Sequence, residues 1–155
     1  MQFTQVHRTE QEKVFISVKN NDTVALTAGL IVKFSATTTN ADQGRLVELI
    51  ENTWDVDVGI VGHVAGVVPA TIAIGEVGLV QVYGAADVLF GADTAVGIGV
   101  LAGHATDGYA WGASVSNAAG DTLYSPTAQQ AVIGTTLEAV DVSASTTGSV
   151  FLSLM

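Results

Sequence analysis

No cysteine occurs among the 155 residues, so a disulfide framework and a thiolate metal site are both excluded, while the redox compartment stays open. Basic residues are scarce and confined to one end. Arg8, Lys13, Lys19, Lys33 and Arg45 are the whole set, offset over the first 45 positions by Glu10, Glu12, Asp22 and Asp42. Beyond position 45 stand eleven acidic residues and no Lys or Arg, and the net charge is −10. An acidic body cannot neutralise phosphates, so neither nucleic acid nor an anionic membrane is expected as a partner. Long apolar runs are missing as well. The longest, 58–75, contains His63, Pro69 and four glycines and is hardly long enough to span a bilayer. The N-terminal Met-Gln-Phe-Thr-Gln-Val-His-Arg lacks the apolar stretch of a signal peptide. Charged residues make up only 13% of the chain, against roughly 25% in an ordinary soluble domain. With so few charges, some apolar surface is expected to be covered by a partner or by copies of the chain itself.

What is present favours strands. Hydrophobic residues reach 48%, mostly Val, Ala, Ile and Leu, and the 17 glycines supply turns. Residues 1–12 are polar and unpatterned and read as an N-terminal arm; 13–155 read as a single β-rich domain. Val14, Ile16 and Val18 alternate with Phe15 and Ser17, a strand signal. Asn20-Asn21-Asp22 turns the chain into a second apolar stretch, Val24 to Phe34, interrupted at Ala28-Gly29. Residues 35–44 are loop-like. Arg45 to Ile50 is assigned as a strand, although Leu46, Leu49 and Ile50 also fit helical spacing.

An internal echo is the most informative pattern. Ile60-Val61-Gly62-His63-Val64-Ala65, followed by Gly78-Leu79-Val80-Gln81-Val82-Tyr83, is matched by Val132-Ile133-Gly134-Thr135-Thr136-Leu137, followed by Gly148-Ser149-Val150-Phe151-Leu152. Each unit is an apolar strand, an excursion, and an alternating strand introduced by Gly. Two units are too few for a solenoid. Between them, Ala85 to Val115 supplies further short strands, with a turn at Asp107-Gly108 before the alternating Tyr109 and Trp111. Turns at 117–121 and a loop at 125–130 precede the last pair. The fold class expected is mainly β, a compact sandwich or barrel of short antiparallel strands.

Catalytic signals are weak throughout. Gly97-Ile98-Gly99-Val100-Leu101-Ala102-Gly103 has three residues where the dinucleotide fingerprint has two between its later glycines, so a glycine-rich strand is expected there. Asp55 and Asp57 lie two apart, but no calcium-loop ligands follow them. His63 and His104 lack the local spacing of a metal site. Gly112-Ala113-Ser114-Val115-Ser116 lacks the last glycine of a nucleophile elbow. No enzyme activity, cofactor or metal is expected. Trp54, Tyr83, Tyr109, Trp111 and Tyr124 could line a sugar-binding face, but dispersed aromatics are more often core and interface anchors.

The stretches 44–49, 57–65 and 78–84, with Ala131 to Ala139 and the closing alternating strand, resemble the head decoration (capsid cement) proteins of tailed phages of the lambda type. The resemblance covers roughly 44–84 and 131–155, and it lies in glycines and alternating aliphatics. It implies a β-rich body, commonly trimeric, made in the host cytoplasm and seated on the outer surface of the mature head. The partners implied are the major capsid protein and the chain itself. The chain is longer than the lambda type, and its N-terminal segment forms a plausible strand. Phe3, Val6, Arg8, Lys13, Phe15 and Lys19 are the expected capsid-binding residues, apolar anchors and basic side chains ahead of an acidic body. Trp54, His63, Tyr83 and Trp111 are the expected subunit-interface residues. A tail-tube or fibre domain and a carbohydrate-binding β-sandwich module are the alternatives.

Overall fold

In the computed structural model, which describes residues 12–35, 44–50, 63–102, 107–112, 132–144 and 146–154, every regular element is a strand and no helix occurs among the described residues. The strands are β1 (Val14–Asn20), β2 (Ile31–Phe34), β3 (Leu46–Leu49), β4 (Val64–Val67), β5 (Val77–Leu89), β6 (Gly99–Ala102), β7 (Ala110–Gly112), β8 (Val132–Thr136) and β9 (Thr147–Ser153). They form one sheet in the order β1-β3-β2-β4-β5-β9-β8-β6-β7, with a further pairing of β1 to β5. That pairing closes β1, β3, β2, β4 and β5 into a five-stranded barrel, which removes the exposed sheet edges that invite aggregation. The other strands close in the same way. β5, β9, β8, β6 and β7 form a ring completed by a parallel bridge between Phe90, just past the end of β5, and Ala110 of β7.

The second barrel repeats the first strand for strand. β2 pairs antiparallel with β3 and β4, as β6 does with β7 and β8. A register shift falls between Val32 and Lys33 in one barrel and between Val100 and Leu101 in the other. β1 runs parallel to β3, and Phe90 lies parallel to Ala110. Outside the strands, the bridge Leu26–Ile72 is matched by Thr94–Val140. The repeat extends into the core. Val18, Leu26, Val32, Val47, Ala65, Val68, Ile72 and Val80 pack together in the first barrel. By register their counterparts are Val88, Thr94, Val100, Ala110, Ile133, Thr136, Val140 and Val150, all buried. Volumes compensate, since Val47 gives way to Ala110 where Ala65 gives way to Ile133, as dense packing requires. Thr94 and Thr136 bring hydroxyls into the second core. Thr136 Oγ1 donates to Ala95 O (2.8 Å) and accepts from Ile98 N (2.9 Å), and Thr94 Oγ1 donates to Ala92 O (3.1 Å). Paired in this way, the buried polar groups avoid the cost of lost solvation.

The long strand β5 belongs to both barrels. Its first half, to Tyr83, pairs with β1, and Tyr83 to Leu89 pairs with β9. At 13 residues it is twice the common strand length. The change of partner falls beside Gly84, whose φ is +92° and where a Cβ would run into the carbonyl of Glu12. A left-handed residue mid-strand needs glycine, and so does that close approach. The short strands expected from Ala85 onward therefore begin only at β6, because Ala85–Leu89 continues β5.

The echo read from the sequence is real but its register is shifted. Gly66, not Gly62, is the counterpart of Gly134: Val32 pairs with Gly66 as Val100 pairs with Gly134. At both glycines a Cβ would strike the backbone of the neighbouring strand, at Gln81 or at Phe151. Gly78 and Gly148 correspond as expected, and there a Cβ would strike Ile72 or Val140. Ile60 to Gly62 lie outside the described residues.

Candidate functional site

The outer face of β1 carries two of the six expected capsid-binding residues, Phe15 and Lys19. Inward-facing Val18 and Asn20 are buried, which turns Phe15, Ser17 and Lys19 outward, all exposed. Lys13, just before the strand, is exposed too. β5 extends this face, because Ser17 pairs with Leu79 and Lys19 with Val77. Phe15 is 41% exposed, Leu79 52% and Val77 66%. The result is an apolar patch with lysines at its borders, of the kind that marks an interaction surface. Phe3, Val6 and Arg8 lie outside the described residues, as does Trp54.

Of the expected subunit-interface residues, His63, Tyr83 and Trp111 are described and lie beside or on three different strands. His63 is exposed just ahead of β4 in the first barrel, and its carbonyl accepts from Phe34 N at 3.0 Å. Tyr83 is half-buried where β5 changes partner, its ring edge-on to Phe151 with centroids 5.3 Å apart and planes at 79°. That geometry suits two aromatic quadrupoles and fixes the junction between barrels. Trp111 is half-buried on β7 of the second barrel, where it pairs in register with Leu101. Its counterpart in the first barrel is Glu48, which pairs with Lys33 and meets its ammonium at 3.4 Å. One barrel thus places an ion pair where the other sets Trp111 opposite Leu101 in register. Tyr83 stands on the shared strand β5 and the Tyr109–Trp111 pair at β7, and Tyr124 lies outside the described residues.

Of the glycine-rich stretch 97–103, the described residues 97–102 form a turn and a strand. Gly97 occupies a turn with φ +75°, matching Gly29 at +86°, and β6 follows with Val100 and Ala102 fully buried. Asp55, Asp57 and His104 lie outside the described residues. A cavity of about 330 Å³ opens between the barrels, lined by Lys13, Gly29, Pro69, Gln81, Asp87 and Thr147 among others. Gln81 is buried, and its Nε2 donates to Tyr83 O (3.1 Å) and Ala85 O (2.9 Å). That amide ties down the β5 crossover from inside. The Asp141 carboxyl is held below its ordinary value, first by the Ser143 hydroxyl at 2.6 Å and then by the Ser143 and Ala144 amides. It shapes a turn, with no partner acid or base in that arrangement.

The fold so defined is an all-β protein made of two fused, repeated five-stranded barrels. No protein-family model matches the chain, and no curated protein matches it. Among solved structures it is similar to the head fibre gp8.5 N base in bacteriophage phi29, with a TM-score of 0.53. That likeness covers 91% of this chain and 96% of the phage chain at 16% sequence identity. At such identity the likeness is one of fold.

Proposed function

We propose that this chain is a non-catalytic structural protein of a tailed-phage head, seated on the outside of the capsid. It binds the major capsid protein through its N-terminal segment and β1, and it assembles with copies of itself, most simply as a trimer. The likeness of fold to the phi29 head fibre base, end to end over both chains, carries this reading. The sequence resemblance to lambda-type cement proteins points to the same surface. Its glycines at 66, 78, 134 and 148 are, however, the close-approach positions of the repeated barrel. They therefore speak for the barrel more than for one decoration family. A head filled with DNA pushes outward, and proteins that bind only the expanded shell stabilise it by mass action. Many equivalent sites let modest single contacts suffice. A second form of the reading makes the chain the base of a projecting fibre, and the description of the phi29 structure as a fibre base favours it.

The test compares the full chain with one starting at Lys13 in sedimentation with expanded heads. The full chain is expected to sediment with the heads. The shortened chain should keep its β circular dichroism and lose most of that binding. A full chain that stays in the supernatant refutes the head reading; a shortened chain that binds as well as the full one moves the attachment to the body.

A further inference from the structure

The junction between the two barrels contains a template for a contact between molecules. Within the chain, the second barrel seats the outer face of its first strand against a turn of the first barrel. Leu89 N donates to Gly29 O at 2.9 Å, and a Cβ on Gly29 would lie 3.0 Å from Leu89 Cγ. Asp87 and Thr147 stand on the same face, opposite Ala28, Val68 and Pro69 across the cavity between the barrels. Because the barrels are repeats, each half of this junction has a counterpart elsewhere in the molecule, and both counterparts are uncovered.

Register identifies them. Asp87, Leu89 and Thr147 correspond to Ser17, Lys19 and Val77 on the outer face of the first barrel. Ala28, Gly29, Val68 and Pro69 correspond to Val96, Gly97, Thr136 and Leu137 in the second barrel. The turn keeps its geometry: Gly29 N donates to Val68 O at 2.8 Å, and Gly97 N to Thr136 O at 3.0 Å. Its surroundings differ, since a Cβ on Gly97 would meet nothing within 4 Å. Val96 is 60% exposed and Leu137 46%. Together with Phe15, Val77 and Leu79, they make five of the eight exposed large apolar side chains among the described residues. Around the seated Leu89, the strand face of the second barrel is more polar at matching positions, with Ser149 for Leu79, Thr147 for Val77 and Ala85 for Phe15, and its Asp87 and Thr147 are exposed. The exposed apolar side chains therefore gather on the two faces that answer the Leu89–Gly29 contact.

We infer that a second copy of this chain covers each half, docking head to tail. The β1 face of one molecule seats on the Val96–Gly97 and Leu137 face of the next, as the second barrel seats on the first within the chain. Charge favours this pairing. Lys13 and Lys19 border the β1 face, while Glu138 is exposed beside Leu137 and no Lys or Arg follows position 45. Such a contact joins two different surfaces, so it closes into a ring if the rotation allows and otherwise grows into a filament. The inference takes from the proposed function only the self-association; it gives the β1 face to the contact between copies and leaves the capsid to residues 1–12.

Light scattering after size exclusion tests it on the protein alone, with the variants Val77→Asp/Leu79→Asp and Val96→Asp/Leu137→Asp. All four positions are exposed, and circular dichroism checks that both variants keep the wild-type fold. The wild type is expected to run as a ring or as a species that grows with concentration, and each variant should lose that peak and run as a monomer. An equimolar mixture of the two variants should form a heterodimer, because each retains the face the other lacks. A wild type that stays monomeric at its highest soluble concentration overturns the inference and leaves attachment to heads to its own sedimentation test. An oligomeric wild type whose variants fail to complement, or that only one variant disrupts, overturns the head-to-tail contact.

Discussion

Phe90 locks the second barrel shut, and truncating it should be among the costliest single changes in the molecule. Its side chain is fully buried in a core with Val88, Val100, Ala110, Ile133, Val140, Val150 and Leu152. Its ring lies against Gly148, where an added Cβ would sit 3.2 Å from Cε2. The backbone half of its role survives substitution: Phe90 N donates to Thr146 O at 2.6 Å, and the bridge to Ala110 needs no side chain. Phe90→Ala therefore isolates the ring, with a loss of about 3–5 kcal/mol for a large-to-small change in a packed core. Against a total of roughly 5–15 kcal/mol for a domain, that is a large fraction. At about 2–4 °C per kcal/mol for a chain of this size, the melting temperature should fall by roughly 6–20 °C. Chemical denaturation followed by circular dichroism measures it, and an unchanged m-value would confirm that native stability has moved. A loss within about 0.5 kcal/mol, the range of ordinary surface substitutions, would refute the placement of this ring in the core.

Asn20 holds the position in the first barrel that Phe90 holds in the second, and it is stabilised by hydrogen bonds in place of packing. Asn20→Ala removes its donations to Val24 O (2.9 Å) and Ile72 O (3.1 Å) and its acceptance from Asp22 N (2.8 Å). Denaturant titration should show a loss of about 1–3 kcal/mol. Glu48→Ala takes the carboxylate from the nearly buried Lys33 ammonium and should cost about 1–3 kcal/mol. The double change Lys33→Leu/Glu48→Trp, which copies the Leu101–Trp111 pair of the second barrel, should recover most of that in the same assay. In a pH titration followed by NMR, Asp141 should titrate below the usual carboxylate range, and Ser143→Ala should move it upward. Because folding depresses this carboxyl, its contribution is present above the unfolded value and is lost as pH falls through the folded one.

Alternation made much of this fold legible. Val14, Ile16 and Val18 announced β1, and the tension between helical and strand spacing at 45–50 resolved to β3 because that segment pairs on both sides, with β1 and β2. The duplication was half legible. Gly78 and Gly148 stand out, but Ile-Val-Gly and Val-Ile-Gly look alike and point to Gly62 as the partner of Gly134. The residue that answers Gly134 is Gly66, where β4 passes too close to β5 for a Cβ, a constraint set by tertiary contact and invisible to local pattern. The length of β5 was also hidden. Gly84 and the small residues after it read as a break, whereas the chain uses them to carry one strand from barrel to barrel. Of the expected capsid-binding residues, Lys13, Phe15 and Lys19 lie exposed at or beside β1, as the alternation implies. The facing patch at Val96 and Leu137 was missed, since nothing in sequence tells an uncovered turn from its covered repeat.

The most direct test of the proposed head-surface role is immunogold electron microscopy of intact phage particles released by cells that carry the gene for this chain, with antibody raised against residues 12–154. Gold is expected on the outside of DNA-filled heads, at many positions per head, without prior disruption of the particles. Label that is absent from intact heads, or that appears only on tails or only after the shell is opened, would contradict it.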